Sequence, residues 1–428
     1  MEIKNIKGLN SLLKKIKDNT LKLGELSSEY KNRLLSGLAD ALSKNKSFII
    51  RENQRDILIA KRLGLSSAFI DRLTLTERRI EQMKGSLLNL INLADPIGEV
   101  IKEWSVPSGL IIKKVRVPLG VILIIYESRP DVTSDCIGLC IKSSNAVILK
   151  GGSESLNSNL AIFRVFLETL KKLSFPSYAI NFVSTKERKV LDKLLRYNEY
   201  IDLVIPRGGE SLIRKITQLS RIPVIKHYKG ICHIYVDEYA DIEMARKVCA
   251  NAKVQRPATC NAMESMLVHQ SIAKEFLVPM LKEFLEAKVK IRGCAQTLKI
   301  AKDYGLFNKE FFKKATDKDY RTEYLDLILS VKVVKDMQEA IEHINEYGSH
   351  HSDAIITKDN EHAEEFLKRV DSACVYHNAS TRFTDGYQFG MGAEIGISTD
   401  RLHARGPMAL EELTTYKYVV KGSGQIRT

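Results

Sequence analysis

From Gly120 onward, short apolar runs alternate with helix-length amphipathic segments, and this alternation restricts the possible folds more than any other feature. Gly120-Val-Ile-Leu-Ile-Ile-Tyr126 is apolar on both faces and bounded by polar residues, the pattern of a strand buried in a parallel sheet. Ala146-Val-Ile-Leu149 reads as the next strand, with a helix from about Ser153. Ala179 to Val183 precedes a short helix, and Ile201-Asp-Leu-Val-Ile205 precedes another that opens near Gly208-Gly209. A second series begins at Ile231-Cys-His-Ile-Tyr-Val236 and takes in Met266-Leu-Val268, Leu327 to Val334, Ala354-Ile-Ile356 and Cys374-Val-Tyr376. Strand and helix in strict turn argue for a doubly wound parallel sheet, and two series argue for two α/β units.

The flanks read differently. Up to about Ala94 the chain is helical, with Leu9, Leu12, Leu13 and Ile16, then Leu34, Leu35, Leu38 and Leu42, at 3.6-residue spacing. Thr74 with Glu77 predicts a capping box for the segment running to Leu93, which stops at Asp95-Pro96. Gly109 to Val117 reads as an extended arm, and Tyr416-Lys-Tyr-Val-Val420 as a strand free to pair with it. A protruding ribbon of that kind adds to a neighbouring subunit's sheet, which predicts a homo-oligomer.

A chain of 428 residues exceeds one ordinary core. Its formal charge of +14 raises the question of nucleic acid. The basic residues are spread along the chain and mixed with acids, as in Glu187-Arg188-Lys189, so the charge speaks for anionic metabolites instead. The longest apolar stretch, around Val121 to Tyr126, is far short of a bilayer span, and the first residues lack an apolar leader region, so a cytoplasmic protein without membrane contact is expected. Seven scattered cysteines, with no C-x-x-C, favour free thiols over a disulfide framework.

Three segments make little sense as packing alone. Tyr126-Glu-Ser-Arg-Pro-Asp-Val-Thr133 crowds polar groups at the carboxyl end of a buried strand, where open α/β sheets bind ligands; it also reads as a solvated turn before a helix. Leu149-Lys-Gly-Gly-Ser-Glu-Ser155 ends a strand in a lysine, glycine amides and hydroxyls, which suits phosphate, although such a turn is also common loop chemistry. Val254-Gln-Arg-Pro-Ala-Thr-Cys-Asn-Ala262 puts Cys260 in a polar segment near Arg256, a setting that favours a thiolate. Cys294, after Arg292-Gly293, is the rival thiol, while the other cysteines fall in helices or apolar strands.

These segments, with Ile201 to Gly209, Gly230 to Asp237, Arg382-Phe-Thr-Asp-Gly386, Gly392-Ala-Glu-Ile-Gly-Ile-Ser398, His403-Ala-Arg-Gly-Pro407 and Leu410-Glu-Glu-Leu-Thr-Thr-Tyr416, resemble the γ-glutamyl phosphate reductases over essentially the whole chain. That family lies within the aldehyde dehydrogenase superfamily, in the form without an attached kinase segment. The resemblance implies an aldehyde-dehydrogenase-like α/β fold of two doubly wound domains plus a β-ribbon oligomerisation arm. Residues 1–103 and 119–228 would be the NADPH-binding domain, 229–400 the catalytic domain, and 104–118 with 401–428 the arm. It also implies reduction of L-glutamyl 5-phosphate to L-glutamate 5-semialdehyde in proline biosynthesis, with possible docking of glutamate 5-kinase.

Carried over position by position, Cys260 is the nucleophile and Ser128 takes the oxyanion-hole position, where many relatives in the superfamily have asparagine. Lys150, with Gly151, Gly152 and Ser153, would meet the adenosine ribose and its 2′-phosphate. Arg207-Gly208-Gly209 would lie near the pyrophosphate and Glu323 near the nicotinamide ribose. Arg256 and Arg405 are candidate anion ligands of the substrate, and each reads equally as an ion-pair partner. The stretch Val224-Ile-Lys-His-Tyr-Lys-Gly230, where hydrolytic relatives carry a water-activating glutamate, holds no carboxylate. His227 there reads as a surface residue or a proton donor. His350, His351 and Asp353 lack a third ligand at recognisable spacing, so no metal is expected. A hydrolytic aldehyde dehydrogenase and a non-catalytic basic binding protein remain as rival readings.

Overall fold

A computed structural model describes residues 1–176 and 178–427, so the final residue of the expected arm lies outside the described residues. The chain forms two units: residues 1–226, 390–396 and 407–428 make unit 1, and residues 227–389 and 397–406 make unit 2.

In unit 1, strand β1 (Glu2–Ile3) opens the chain, and β2 (Val100–Ser105) and β3 (Ile111–Pro118) form an antiparallel pair. Then come β4 (Val121–Tyr126), β5 (Ala146–Gly151), β6 (Ile180–Val183) and β7 (Leu203–Arg207). The parallel sheet runs β1-β6-β5-β4-β7. Every residue of β4 is buried, as its apolar run requires in the centre of a covered sheet. The chain steps from β4 to β5 to β6 on one side and returns to place β7 on the other, so β4 and β7 flank a topological switch point. Helices Ser28–Lys44 and Glu77–Asn92 bury Leu34, Leu35, Leu38, Leu42, Leu87 and Leu90 on one stripe each.

The expected capping box at Thr74 and Glu77 does not form; the cap is a single N-cap two residues later, with Arg79 at N3. Helix Glu77–Asn92 is capped by Thr76, whose hydroxyl accepts from the Arg79 N–H at 3.2 Å. Thr74 instead closes the preceding short helix Ser67–Leu73, donating to the Ile70 carbonyl at 2.7 Å. Two threonines separated by one residue both offer a hydroxyl, and only the second has its N3 amide free.

Unit 2 holds β8 (Cys232–Val236), β9 (Met263–His269), β10 (Lys290–Gly293), β11 (Phe312–Lys314), β12 (Ile328–Val334), β13 (Ser352–Ile356) and β14 (Cys374–His377). They form a seven-stranded sheet in the order β11-β10-β12-β9-β8-β13-β14, parallel throughout. On β8, Ile234 and Val236 face the helices Ile242–Val254 and Ala273–Glu286, while Tyr235 faces the helices Met337–Tyr347 and Asn360–Arg369.

The tail strand β15 (Thr414–Lys421) returns to unit 1 and pairs antiparallel with β3 along its whole length, from Thr414 opposite Pro118 to Lys421 opposite Ile111. These strands form a three-stranded antiparallel sheet, β15-β3-β2. Trp104 on β2 meets Tyr418 edge-on, with ring centroids 6.1 Å apart.

Candidate active site

In unit 1 the quoted turns meet at the carboxyl ends of adjacent strands. Tyr126 at the end of β4 is opposite Gly151 on β5 and Arg207 on β7, and the Glu127 N–H donates to the Arg207 carbonyl at 3.0 Å. Gly151 has no room for a side chain, since a Cβ there would lie 2.1 Å from the Asn159 amide nitrogen. Lys150 is half-buried and donates to the Gly151 carbonyl at 2.8 Å; burial holds its ammonium below the usual lysine range, and Glu154 partly offsets this. Ser128 is buried with φ 43°, a left-handed conformation that costs a serine on the order of 1–2 kcal/mol. Its N–H borders Gly152, so Ser128 and the Lys150–Ser153 turn adjoin.

Gly208 and Gly209 lead into helix Glu210–Leu219, but the Gly209 N–H already donates to a Glu127 carboxylate oxygen at 2.9 Å. That turn therefore has one amide fewer to offer a phosphate. The Glu127 contact was not legible in the sequence, where Glu127 is one polar residue among many.

In unit 2 the Cys260 loop runs from the end of helix Ile242–Val254 to the start of β9. Cys260 is half-buried, while Cys136, Cys140, Cys232 and Cys249 are buried, and burial pushes all four of those thiols up, away from thiolate. Cys294, the rival, is occupied: its sulfur accepts from the Val333 N–H at 3.4 Å and sits 3.3 Å from the Thr297 hydroxyl.

The loop is fixed from beneath and from both ends. Cys232 donates its S–H to the Cys260 carbonyl at 3.2 Å, and Gly230 presses so close that a Cβ there would lie 1.9 Å from that carbonyl oxygen. The Gly230 N–H in turn donates to Glu323 at 2.9 Å, which brings a carboxylate to the segment that has none of its own. Lys253, just before the loop, donates to Glu264, just after it, at 2.7 Å, with both side chains fully buried. Burial pushes Glu264 up to about 7 and Lys253 down, and each charge pulls the other back toward its ionised form. Glu264 also accepts from the Leu325 N–H at 3.1 Å.

Asn261, next to Cys260, joins the loop to the turn Thr381–Phe383. Its carbonyl accepts from the Thr381 hydroxyl at 2.8 Å and its amide donates to the Thr384 carbonyl at 2.9 Å. Its side-chain oxygen accepts from the Arg382 guanidinium, whose Nε also donates to Gln255 at 3.0 Å. Neither Arg382 nor Asn261 was singled out from the sequence, because 121 residues separate them.

Arg256 is exposed on the same loop. Arg405 spends its guanidinium on Asp371, at 2.8 Å to the carboxylate and 3.1 Å to the carbonyl. His227 is half-buried, not a surface group, with Nδ1 2.9 Å from the Ile397 carbonyl and its ring edge-on to His351. His351 contacts Cys232 and Ser352, Asp353 holds His233 and His350 meets Asp371. Among the described residues no three His, Cys, Asp or Glu side chains are grouped to hold a metal, and no helix is long and apolar enough to cross a membrane.

The aldehyde dehydrogenase family pattern matches residues 14–297 and 314–419. The γ-glutamyl phosphate reductase of Thermodesulfovibrio yellowstonii is 51% identical over 427 residues, covering 100% of both chains. That of Nautilia profundicola is 50% identical over 98% of this chain and 100% of its own. The crystal structure of the Thermotoga maritima γ-glutamyl phosphate reductase superposes with a TM-score of 0.94 at 45% identity, covering 98% of this chain and 100% of that one. The chain belongs to the aldehyde dehydrogenase family, and within it to the γ-glutamyl phosphate reductases.

Proposed function

We propose that this enzyme reduces L-glutamyl 5-phosphate to L-glutamate 5-semialdehyde with NADPH, releasing phosphate, as a cytoplasmic step of proline biosynthesis. The observation that carries the reading is the full-length likeness to relatives of that name, and it is supported by Cys260 standing half-exposed in a braced loop. The Cys260 sulfur attacks the γ-carbonyl carbon, and the carbonyl electron pair moves to oxygen. Backbone N–H groups beside Cys260 stabilise that oxyanion. Its collapse breaks the bond to the phosphate oxygen and leaves a thioester on Cys260. Phosphate departs without needing a strong acid beside it.

The nicotinamide supplies the hydride that reduces the thioester. The resulting thiohemiacetal loses its hydroxyl proton, its C–S bond breaks, and the semialdehyde leaves Cys260 as a thiolate. Lys150 fits the 2′-phosphate: its half-buried ammonium has one carbonyl partner and gains an anion. The amides of Gly151, Gly152 and Ser153 adjoin Lys150 and would meet the same phosphate, Arg207 with Gly208 would lie near the pyrophosphate, and Glu323 would hold the nicotinamide ribose. Arg405 serves as the partner of Asp371.

The reaction run backwards tests this. With the semialdehyde and NADP⁺, NADPH should form continuously only when inorganic phosphate is present, because the thioester then has its natural acceptor. Cys260→Ala should abolish this turnover. Steady NADPH formation in phosphate-free buffer would instead establish a hydrolytic enzyme, and no signal in either buffer would leave a binding protein.

A further inference from the structure

Two arginines beside the nucleophile, Arg382 and Arg256, carry charge without a carboxylate in ion-pair contact, among the described residues. Arg382 is half-buried, and its two side-chain partners, Asn261 and Gln255, are neutral amides. Burial and then Arg256 pull the Arg382 guanidinium below its usual range, while Cys260 and then Asp385 act in the opposite direction. Two guanidiniums and the thiol therefore share one electrostatic neighbourhood. Crowding like charges without a counterion is costly, and a bound anion removes the cost.

A purely structural role does not account for the guanidinium. Thr381 and the Asn261 amide already tie the turn to the Cys260 loop through three hydrogen bonds of 2.8 to 3.2 Å. The two amide oxygens instead orient a planar fork, the geometry that suits phosphate. The fold also leaves the loop short of positive potential, because helix Ile242–Val254 enters it with its C-terminal, negative end.

We propose that Arg382, assisted by Arg256, is the phosphoryl subsite. It binds the phosphate oxygens of the acyl phosphate and, in reverse, the inorganic phosphate that attacks the thioester. In that step a phosphate oxygen bonds to the acyl carbon, the C–S bond breaks, and its electron pair returns to Cys260. Arg382 touches Asn261, one Cα step of about 3.8 Å from Cys260, and the phosphoryl group is bonded directly to the attacked acyl unit. The α-carboxylate lies at the far end of the carbon chain. This inference rests on the reductase reading and adds the residue that receives the leaving group.

Arg382→Gln and Arg382→Lys are compared with wild type in the reverse reaction, varying inorganic phosphate and the semialdehyde separately. In Arg382→Gln the KM for phosphate should rise about ten- to a hundredfold, the loss expected for a charge-assisted hydrogen bond. The lysine variant should fall between, and the KM for the semialdehyde should stay within about twofold. A first-turnover burst of NADPH in phosphate-free buffer shows that a variant is folded with Cys260 competent. An unchanged phosphate KM overturns the proposal, as does an increase confined to the semialdehyde, which would make Arg382 an α-carboxylate site. A wild-type enzyme indifferent to phosphate would instead sink the reductase reading itself.

Discussion

The two parallel sheets carry their candidate residues at opposite ends. In unit 1 the Ser128, Lys150 and Arg207 turns follow the carboxyl ends of β4, β5 and β7, beside the switch point, where helix N-termini and glycine amides already favour anions. In unit 2 Cys260 precedes β9, at the amino end of its strand, reached from the C-terminus of a helix. Backbone can build the first site. Around Cys260 it is side chains that shape the loop: Arg382 and Arg256 bring charge, Asn261 ties the loop to the Thr381–Phe383 turn, and the Lys253–Glu264 ion pair braces it. A site made that way is easier to retune and easier to break.

Breaking it at its brace should have the largest effect. Lys253→Met leaves Glu264 buried without its cation and should cost about 3–5 kcal/mol in urea unfolding, whereas adding Glu264→Leu should recover most of that loss. A single-variant loss below about 1 kcal/mol would mean that the loop tolerates the lone carboxyl and that the brace is dispensable. On the unit 1 side, Lys150→Ala should weaken NADPH binding by about ten- to a hundredfold and NADH far less, since only NADPH carries the 2′-phosphate. Equal losses for both cofactors, measured by fluorescence titration, would remove the assignment.

The smallest effect concerns acid. All nine histidines lie in unit 2 and none in unit 1. His343 is 4% exposed and pushed down to about 2, chiefly by burial, then by His233, Lys332 and Arg321. Its folded pKa lies below the unfolded value near 6.5, so the unfolded chain takes up a proton that the folded chain refuses. Stability is thus intact above about pH 6.5 and declines as pH falls, by at most about 1.4 kcal/mol per unit from this group. His343→Phe should flatten that slope between pH 6.5 and 4.5. An unchanged slope would place the acid sensitivity elsewhere.

The parallel strands were legible because burial on both faces leaves unbroken apolar runs, as in β4 and β5. The pairing of the tail with the arm was legible too, because neither segment had a helix to pack on. Strand β1 has two residues and owes its existence to β6, about 180 positions away, so no local pattern encodes it. Strands β10 and β11 are three or four residues long and contain lysines and an arginine, which mask the alternation. At the site, Cys260 stood out by local polarity. Arg382 did not, because its meaning comes from a contact across the fold, and nothing local marks Lys253 and Glu264 as partners, since the loop they bracket brings them together.

The edge-on contact between Trp104 and Tyr418 gives the molecule an intrinsic optical reporter. Trp104 is the only tryptophan in the chain, so its emission comes from one place, the hydrogen-bonded arm where β2, β3 and the tail meet. Detachment of the tail strand removes the tyrosine ring from the indole and exposes it to water, while Cys260 contributes nothing to the signal. Docking of the last strand can therefore be followed by light alone, independently of turnover.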